Sequence, residues 1–115
     1  MPEGPEVKRM AIDLAHEVSG RTREEIKVLT GRYTKKPIEG LSDVNEQLPT
    51  NVIGAGCHGK FMYVLLSCGF NIWNTLGMTG RWSRRKTKHS RVELVFDNGH
   101  RVYFEDVRNF GTIKI

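Results

Sequence analysis

The first seven residues, MPEGPEV, place a proline and two glutamates where chemistry is possible. Removal of Met1 would turn Pro2 into a free secondary amine. A terminal amine titrates near pH 7.7–8.0, so roughly a quarter to a third of it is neutral at pH 7.4, against about 0.1% of an ordinary lysine. Attack of this amine on a sugar C1′ gives a positively charged iminium, which is an electron sink for eliminating a neighbouring phosphate. The position of Pro2 therefore predicts a nucleophile, provided that Met1 is absent.

Glu3 and Glu6 lie beside this amine and become near neighbours if the segment is helical. One carboxylate could move protons to the opened sugar, and the other could hold the amine or the start of the helix. A purely structural interpretation stays open, because proline suits a first helical turn and glutamates are favoured by the positive end of the helix dipole.

Lys60 follows a glycine in HGKFMYV, residues 58–64, and opens an apolar run that is typical of a strand. A lysine at a strand end can meet a phosphate, although a solvated edge lysine is the simpler alternative. Cys57 and His58 provide too few ligands for a metal site, so none is expected. Cys57 and Cys68 are expected to remain reduced thiols.

Met78 stands in a turn bracketed by two glycines, in NTLGMTGRW at residues 74–82. A tight turn would push this unbranched apolar side chain outward, where it could wedge into a base stack. The alternative is that Met78 folds back onto the core.

Residues 81–91, RWSRRKTKHSR, form a strongly basic stretch that includes the titratable His89. The whole chain carries 18 Lys and Arg against 13 Asp and Glu, a net charge of +5. Such a balance favours polyanionic partners, of which nucleic acid is the commonest, and it predicts salt-dependent binding. A solvated loop would explain the same stretch equally well.

Arg108 and Phe110 alternate in EDVRNFGT, residues 105–112, and share a face if the backbone is extended. An arginine and an aromatic ring on one face can fill a gap in a duplex, the arginine pairing with an orphaned base. Alternatively, Phe110 belongs to the core and Arg108 pairs with Glu105 or Asp106.

Apolar periodicity predicts the elements that must position these residues. Val7 to Val18 recur at helical spacing, and Gly20 is expected to end that helix. The remainder predicts strands joined by turns, with a hairpin at DNGH, residues 97–100. The predicted strands cover 25–29, 60–66, 70–74, 92–96, 101–105 and the terminal GTIKI. We therefore expect an α+β, mainly β fold, with an N-terminal helix packed on a two-layer antiparallel β-sandwich.

Length and composition set the outer limits. The 115 residues predict one domain, with 38% hydrophobic and 27% charged residues as in a soluble globular protein. No apolar run reaches the length of a membrane span and no signal peptide is apparent, so a cytoplasmic or nuclear location is expected. The chain ends at GTIKI within a strand pattern, which suggests a fragment of a longer protein.

Five motifs in this order resemble the N-terminal half of the formamidopyrimidine-DNA glycosylase and endonuclease VIII family. They are MPEGPEV at residue 1, GK at 59–60, LGMTG at 76–80, KH at 88–89 and D-x-R-x-FG at 106–111. The resemblance covers essentially the whole chain but less than half of a full family member.

The resemblance implies a role for each candidate residue. Pro2 would be the Schiff-base nucleophile, Glu3 the general acid for ring opening and Glu6 a supporting carboxylate. Lys60, placed with these three in the catalytic group, would also contact phosphates near the lesion, as would His89. Three further residues would fill the void left by a flipped nucleotide: Met78, Arg108 and Phe110. Arg108 would contact DNA as well.

The implied reaction is excision of an oxidised base, followed by β- and δ-elimination at the abasic sugar. Damaged DNA would be the partner of a monomeric protein that spans no membrane. The family's helix–two-turn–helix module and zinc finger would lie beyond Ile115, so residues 1–115 would bind no cofactor. The alternative is a domain that recognises damaged DNA without catalysis, which is the expectation if Met1 is retained.

Overall fold

The computed structural model describes residues 4–47, 49–108 and 111–115, without the side chains of residues 23, 24 and 98. Pro2, Glu3 and Phe110 lie outside these ranges. The helices and strands of the described chain are α1 (Gly4–Val18), β1 (Thr22–Val28), α2 (Leu41–Asn45), β2 (Thr50–His58), β3 (Phe61–Leu66), β4 (Asn71–Thr75), β5 (Gly80–Ser83), β6 (Ser90–Phe96), β7 (Arg101–Asp106) and β8 (Thr112–Lys114).

Helix α1 buries the apolar stripe that its periodicity predicts. Val7, Leu14 and Val18 are buried in the same core cluster as the inward residues of the strands. Gly20 follows the last turn with φ +78°, a conformation that glycine adopts without the steric cost of a Cβ. The predicted helix and its end are confirmed.

The strands form two antiparallel sheets that are joined between β1 and β2. Their order is β5-β7-β6-β1-β2-β3-β4-β8, with β1 to β2 contributing the short pairing Thr22 to Asn51. Alternate residues of β3 and β6 point into a shared core that includes Met62, Val64 and Leu94. A mainly β fold with an N-terminal helix on antiparallel sheets is thereby confirmed.

Strand β2 is an element that the sequence pattern did not predict. Two glycines interrupt its apolar residues, which weakens the β signal. Gly56 is nonetheless suited to its place, because a Cβ there would lie 2.6 Å from the hydroxyl oxygen of Tyr63 on β3. Tyr63 is the direct cross-strand partner of Gly56, so packing between strands, and not local propensity, explains this part of the sheet.

Strand β5 overlaps the start of the basic stretch, for which a solvated loop was the alternative interpretation. Residues 80–83 pair with β7, Trp82 lying opposite Phe104 with ring centroids 5.4 Å apart. The alternation of an exposed Arg81 with an inward Trp82 gives this short segment one apolar face. The sequence pattern did not predict this strand, and the alternative of a solvated loop was wrong for residues 81–83.

Candidate nucleic-acid interface

Helix α1 runs antiparallel to β2, which brings its first turn to the end of β2 at His58. The amide of Gly20 donates to the carbonyl of Val52, while Lys8 and Cys57 line a common groove further along. Fifteen helical residues span about 22 Å, close to the roughly 20 Å from Val52 to His58. The start of α1 and the β2–β3 turn thus lie at the same end of the sandwich.

Lys60 and the Met78 turn lie at this end as well. Lys60 immediately precedes Phe61, whose cross-strand partner is Thr75 at the end of β4. Thr75 in turn pairs with Thr112 at the start of β8. Directly opposite residues in antiparallel strands are about 4.5–5.5 Å apart. The register therefore brings Lys60, the turn after Thr75 and Gly111, which precedes Thr112, side by side.

The turn at residues 76–79 holds Met78 outward. Gly77 has φ +59°, and the amide of Gly80 donates to the carbonyl of Leu76 at 2.7 Å. A Cβ on Gly80 would overlap that carbonyl, so the closure of the turn requires glycine. Met78 is 49% exposed, which shows that the alternative of a core methionine was wrong.

Asp106 joins this turn to the loop that carries Arg108. Its side chain is 0% exposed, and the hydroxyl of Thr79 donates to its Oδ1 at 2.6 Å. The amide of Gly111 donates to its Oδ2 at 2.7 Å. Thr79 Oγ1 also accepts from the amide of Arg108 at 2.9 Å, so a continuous hydrogen-bond chain runs between the two segments.

Arg108 is exposed at the end of β7. The two carboxylates offered as its alternative partners bond other donors. Asp106 accepts hydrogen bonds from Thr79 and Gly111. Glu105 accepts from Thr87 and Arg81. The exposed position suits contact with a partner molecule.

His89 lies against the same loop through the backbone. Its carbonyl accepts from the amide of Asp106 at 3.1 Å, and its own amide donates to Thr87 Oγ1. The hydroxyl of Thr87 donates to Glu105 at 2.6 Å. The hydrogen bond from Thr87, followed by that from Arg81, lowers the pKa of Glu105 and keeps it anionic under this basic segment.

Glu6 is exposed in the first part of α1 and lines a cleft of about 660 Å³ between α1 and β5. Arg9 and Arg81 line the same cleft. The described part of the chain thus brings Glu6, Lys60, Met78, His89 and Arg108 to neighbouring elements at or beside one end of the sandwich. No helix among residues 4–47, 49–108 and 111–115 has the length and apolar character to cross a bilayer.

Comparison with known proteins agrees with this architecture. The family model described as "Formamidopyrimidine-DNA glycosylase N-terminal domain" matches residues 1–113. The chain belongs to this family.

Related sequences and structures carry the same domain as part of longer chains. Formamidopyrimidine-DNA glycosylase of Mycolicibacterium gilvum is 34% identical in an alignment 115 positions long, which covers 96% of this chain and 41% of that protein. The enzyme of Halalkalibacterium halodurans is 31% identical, over 100% of this chain and 43% of its own. The chain therefore spans about two fifths of the length of these relatives.

Solved structures of formamidopyrimidine-DNA glycosylases share the fold. MutM (Fpg) of Thermus thermophilus superposes with a TM-score of 0.82 at 28% identity, over 98% of this chain and 40% of its own. The Lactococcus lactis glycosylase was solved non-covalently bound to DNA containing an AP site. It superposes with a TM-score of 0.83 at 22% identity, over 98% of this chain and 44% of its own.

Two arginines of this chain hold backbone at the candidate interface, a role that sequence reasoning missed. Arg91 donates from Nε to the carbonyl of Asp106 at 2.9 Å and from Nη2 to that of Val107 at 3.3 Å. Arg32 donates to the carbonyl of Gly111 at 3.3 Å. The two guanidinium groups thus hold the backbone at Asp106, Val107 and Gly111. Arg91 was grouped with the basic stretch, and only the β6–β7 pairing reveals this different use.

Proposed function

We propose that the full-length protein containing this chain is a base-excision repair DNA glycosylase and AP lyase that removes oxidised bases. The observation that carries the proposal is the family match over residues 1–113. It is supported by the meeting of Lys60, the Met78 turn and the Arg108 loop at the end of the sandwich where α1 begins.

The proposed reagent is the amine of Pro2, which lies outside the described residues. After removal of Met1, its nitrogen attacks C1′ and the damaged base departs with the proton that the amine gives up; opening of the sugar ring then leaves a cationic iminium. Glu3, also outside the described residues, acts as general acid toward the sugar ring oxygen, and Glu6 supports the helix start. The iminium makes the C2′ proton acidic, and loss of that proton gives an enamine that expels the 3′-phosphate. Loss of the C4′ proton then expels the 5′-phosphate.

Lys60, beside the turn after β4, is proposed to contact phosphates next to the lesion and belongs with the catalytic group. His89 and the basic residues around it would hold the DNA backbone. Met78, Arg108 and Phe110 would fill the space left when the damaged nucleotide turns out of the helix. Phe110 lies outside the described residues, so its part rests on the motif alone.

Damaged DNA is the proposed partner of a monomeric, intracellular protein, whether cytoplasmic or nuclear. We further propose that residues 1–115 form the catalytic N-terminal domain and bind no cofactor. The helix–two-turn–helix module and the zinc finger would be supplied by chain that follows Ile115.

The test is product analysis with the Met1-trimmed, full-length protein on duplexes that carry one oxidised base or one abasic site. The proposal predicts base release, followed by strand cleavage that leaves phosphate on both sides of the gap. Salt-sensitive binding to the damaged duplex without cleavage would favour the alternative, a non-catalytic DNA-binding domain. If the protein neither binds nor cleaves the damaged duplex, both the proposed function and the alternative are refuted.

A further inference from the structure

The Met78 turn and the Arg108 loop are distant in sequence but share one buried carboxylate. Asp106 and Thr79 are 27 residues apart, yet their side chains are 2.6 Å from each other. Because the Thr79 hydroxyl donates to Asp106 and accepts from the amide of Arg108, both of its hydrogen-bonding functions are used between the segments.

We propose that Thr79 and Asp106 are positioning residues that fix the Met78 turn and the Arg108 loop relative to one another. The inference rests on the proposed function, in which both side chains enter the DNA at a flipped nucleotide. Met78 is adjacent to Thr79, and the Arg108 amide itself ends the hydrogen-bond chain. The two inserting side chains therefore meet the duplex in a preset arrangement.

Backbone packing supports a fixed arrangement. Gly80 is the cross-strand partner of Asp106, so the turn and the carboxylate are attached to paired strands. A Cβ on Gly111 would lie 2.6 Å from the carbonyl oxygen of Thr75 and 3.0 Å from Asp106 Oδ2. The glycines of the LGMTG and FG motifs thus permit the close approach that the carboxylate then secures.

The main test is Thr79→Val, which keeps the side-chain shape but leaves the Arg108 amide and Asp106 Oδ1 without this partner. Thr79→Ser retains the hydroxyl and is the conservative rescue. Thr22→Val is the matched control, because its hydroxyl makes only an exposed contact with Asn51. Thermal denaturation of each full-length variant checks that it folds.

Each variant is assayed on an oxidised base in duplex DNA and on the same base in a single strand. Extrusion of a base from a duplex leaves a void in the base stack, opposite the orphaned base of the partner strand. A single strand has no such void. We expect Thr79→Val to lower duplex excision by about 100-fold, as small misplacements of a positioned group do, and single-strand excision by less than about 3-fold. Thr79→Ser and Thr22→Val should match the wild type.

A double-mutant cycle separates positioning from general stability. If Thr79 acts through Met78, the fold-loss of duplex excision caused by Thr79→Val should be at least about 10-fold smaller in a Met78→Ala background than in the wild type. Equal losses on both DNA forms, or additive losses in the cycle, would overturn the proposal, as would unchanged duplex activity of Thr79→Val. A wild type that is inactive on both DNA forms would instead refute the proposed function and this inference with it.

Discussion

Asn74 joins the two sheets beside the candidate interface, and its replacement by alanine tests this part of the fold. Its Nδ2 donates to the carbonyls of Thr112 at 2.9 Å and Thr75 at 3.1 Å, and its Oδ1 accepts from Trp82 Nε1 at 2.9 Å. An indole nitrogen only donates and a carbonyl only accepts, so the partners dictate the orientation of the amide. Asn74 itself is 2% exposed.

The expected cost follows from these contacts. Asn74→Ala removes three hydrogen bonds of about 0.5–1.5 kcal/mol each and leaves partly buried partners unsatisfied, which predicts a loss of about 2–3 kcal/mol. For a chain of 115 residues, 1 kcal/mol corresponds to about 4 °C in Tm, so Tm should fall by about 8–12 °C. Asn74→Asp should lose about as much, because a carboxylate cannot donate to the two carbonyls.

Thermal denaturation followed by circular dichroism measures the effect, with Asn51→Ala as the matched control. Asn51 is also a strand asparagine, but its side chain makes an exposed contact with Thr22. Its loss should change the free energy of unfolding by less than about 0.5 kcal/mol. A Tm of Asn74→Ala within about 3 °C of that of Asn51→Ala would refute the reasoning.

Three further predictions concern the same end of the fold. Gly80→Ala should lower Tm by about 4–12 °C, because the new Cβ overlaps the Leu76 carbonyl. Gly54→Ala is the control and should lower Tm less, because its Cβ would meet its nearest atom at 3.9 Å. Equal losses of Tm would contradict this prediction. Because the pKa of Glu105 is lower in the folded state, its contribution is full above about pH 5 and lost as pH falls below 4.5 through the folded pKa. Glu105→Gln should therefore lower Tm at pH 7, and thermal scans should show the difference from the wild type shrinking as pH falls through the folded pKa of Glu105. In DNA-binding titrations, the double variant Lys86→Gln/Lys88→Gln should reduce the salt slope of log K by about 1.8, and an unchanged slope would place these lysines away from phosphate.

Local patterns predict much of this fold because they act over a few residues. The 3.6-residue period of α1 and the glycine that ends the helix can both be recognised from residues close together in the sequence. In the same way, Gly77 and Gly80 on either side of Met78 predict a turn with Met78 pointing outward. The sequence pattern did not predict strand β2, because glycines such as Gly54 and Gly56 are depleted in strands. Pairing with β3 makes these residues part of a strand.

The sequence named the candidate site residues, but it could not reveal the contacts that connect them. Asp106 appears in the D-x-R-x-FG motif without any sign that its partner is Thr79, since that contact depends on the pairing of β5 with β7. Arg91 resembles its basic neighbours in sequence, yet its guanidinium holds two backbone carbonyls. Contacts of this kind exist only after strands distant in sequence have paired.

The central claim is that the amine of Pro2 is the nucleophile, and borohydride trapping on abasic DNA tests it most directly. The full-length protein is first shown by intact mass to lack Met1, then trapped, digested and mapped by mass spectrometry. The account predicts a reduced sugar adduct on the N-terminal peptide at Pro2, and its loss when Met1 is retained. An adduct on Lys60 instead, or no adduct from the Met1-trimmed protein, would contradict it.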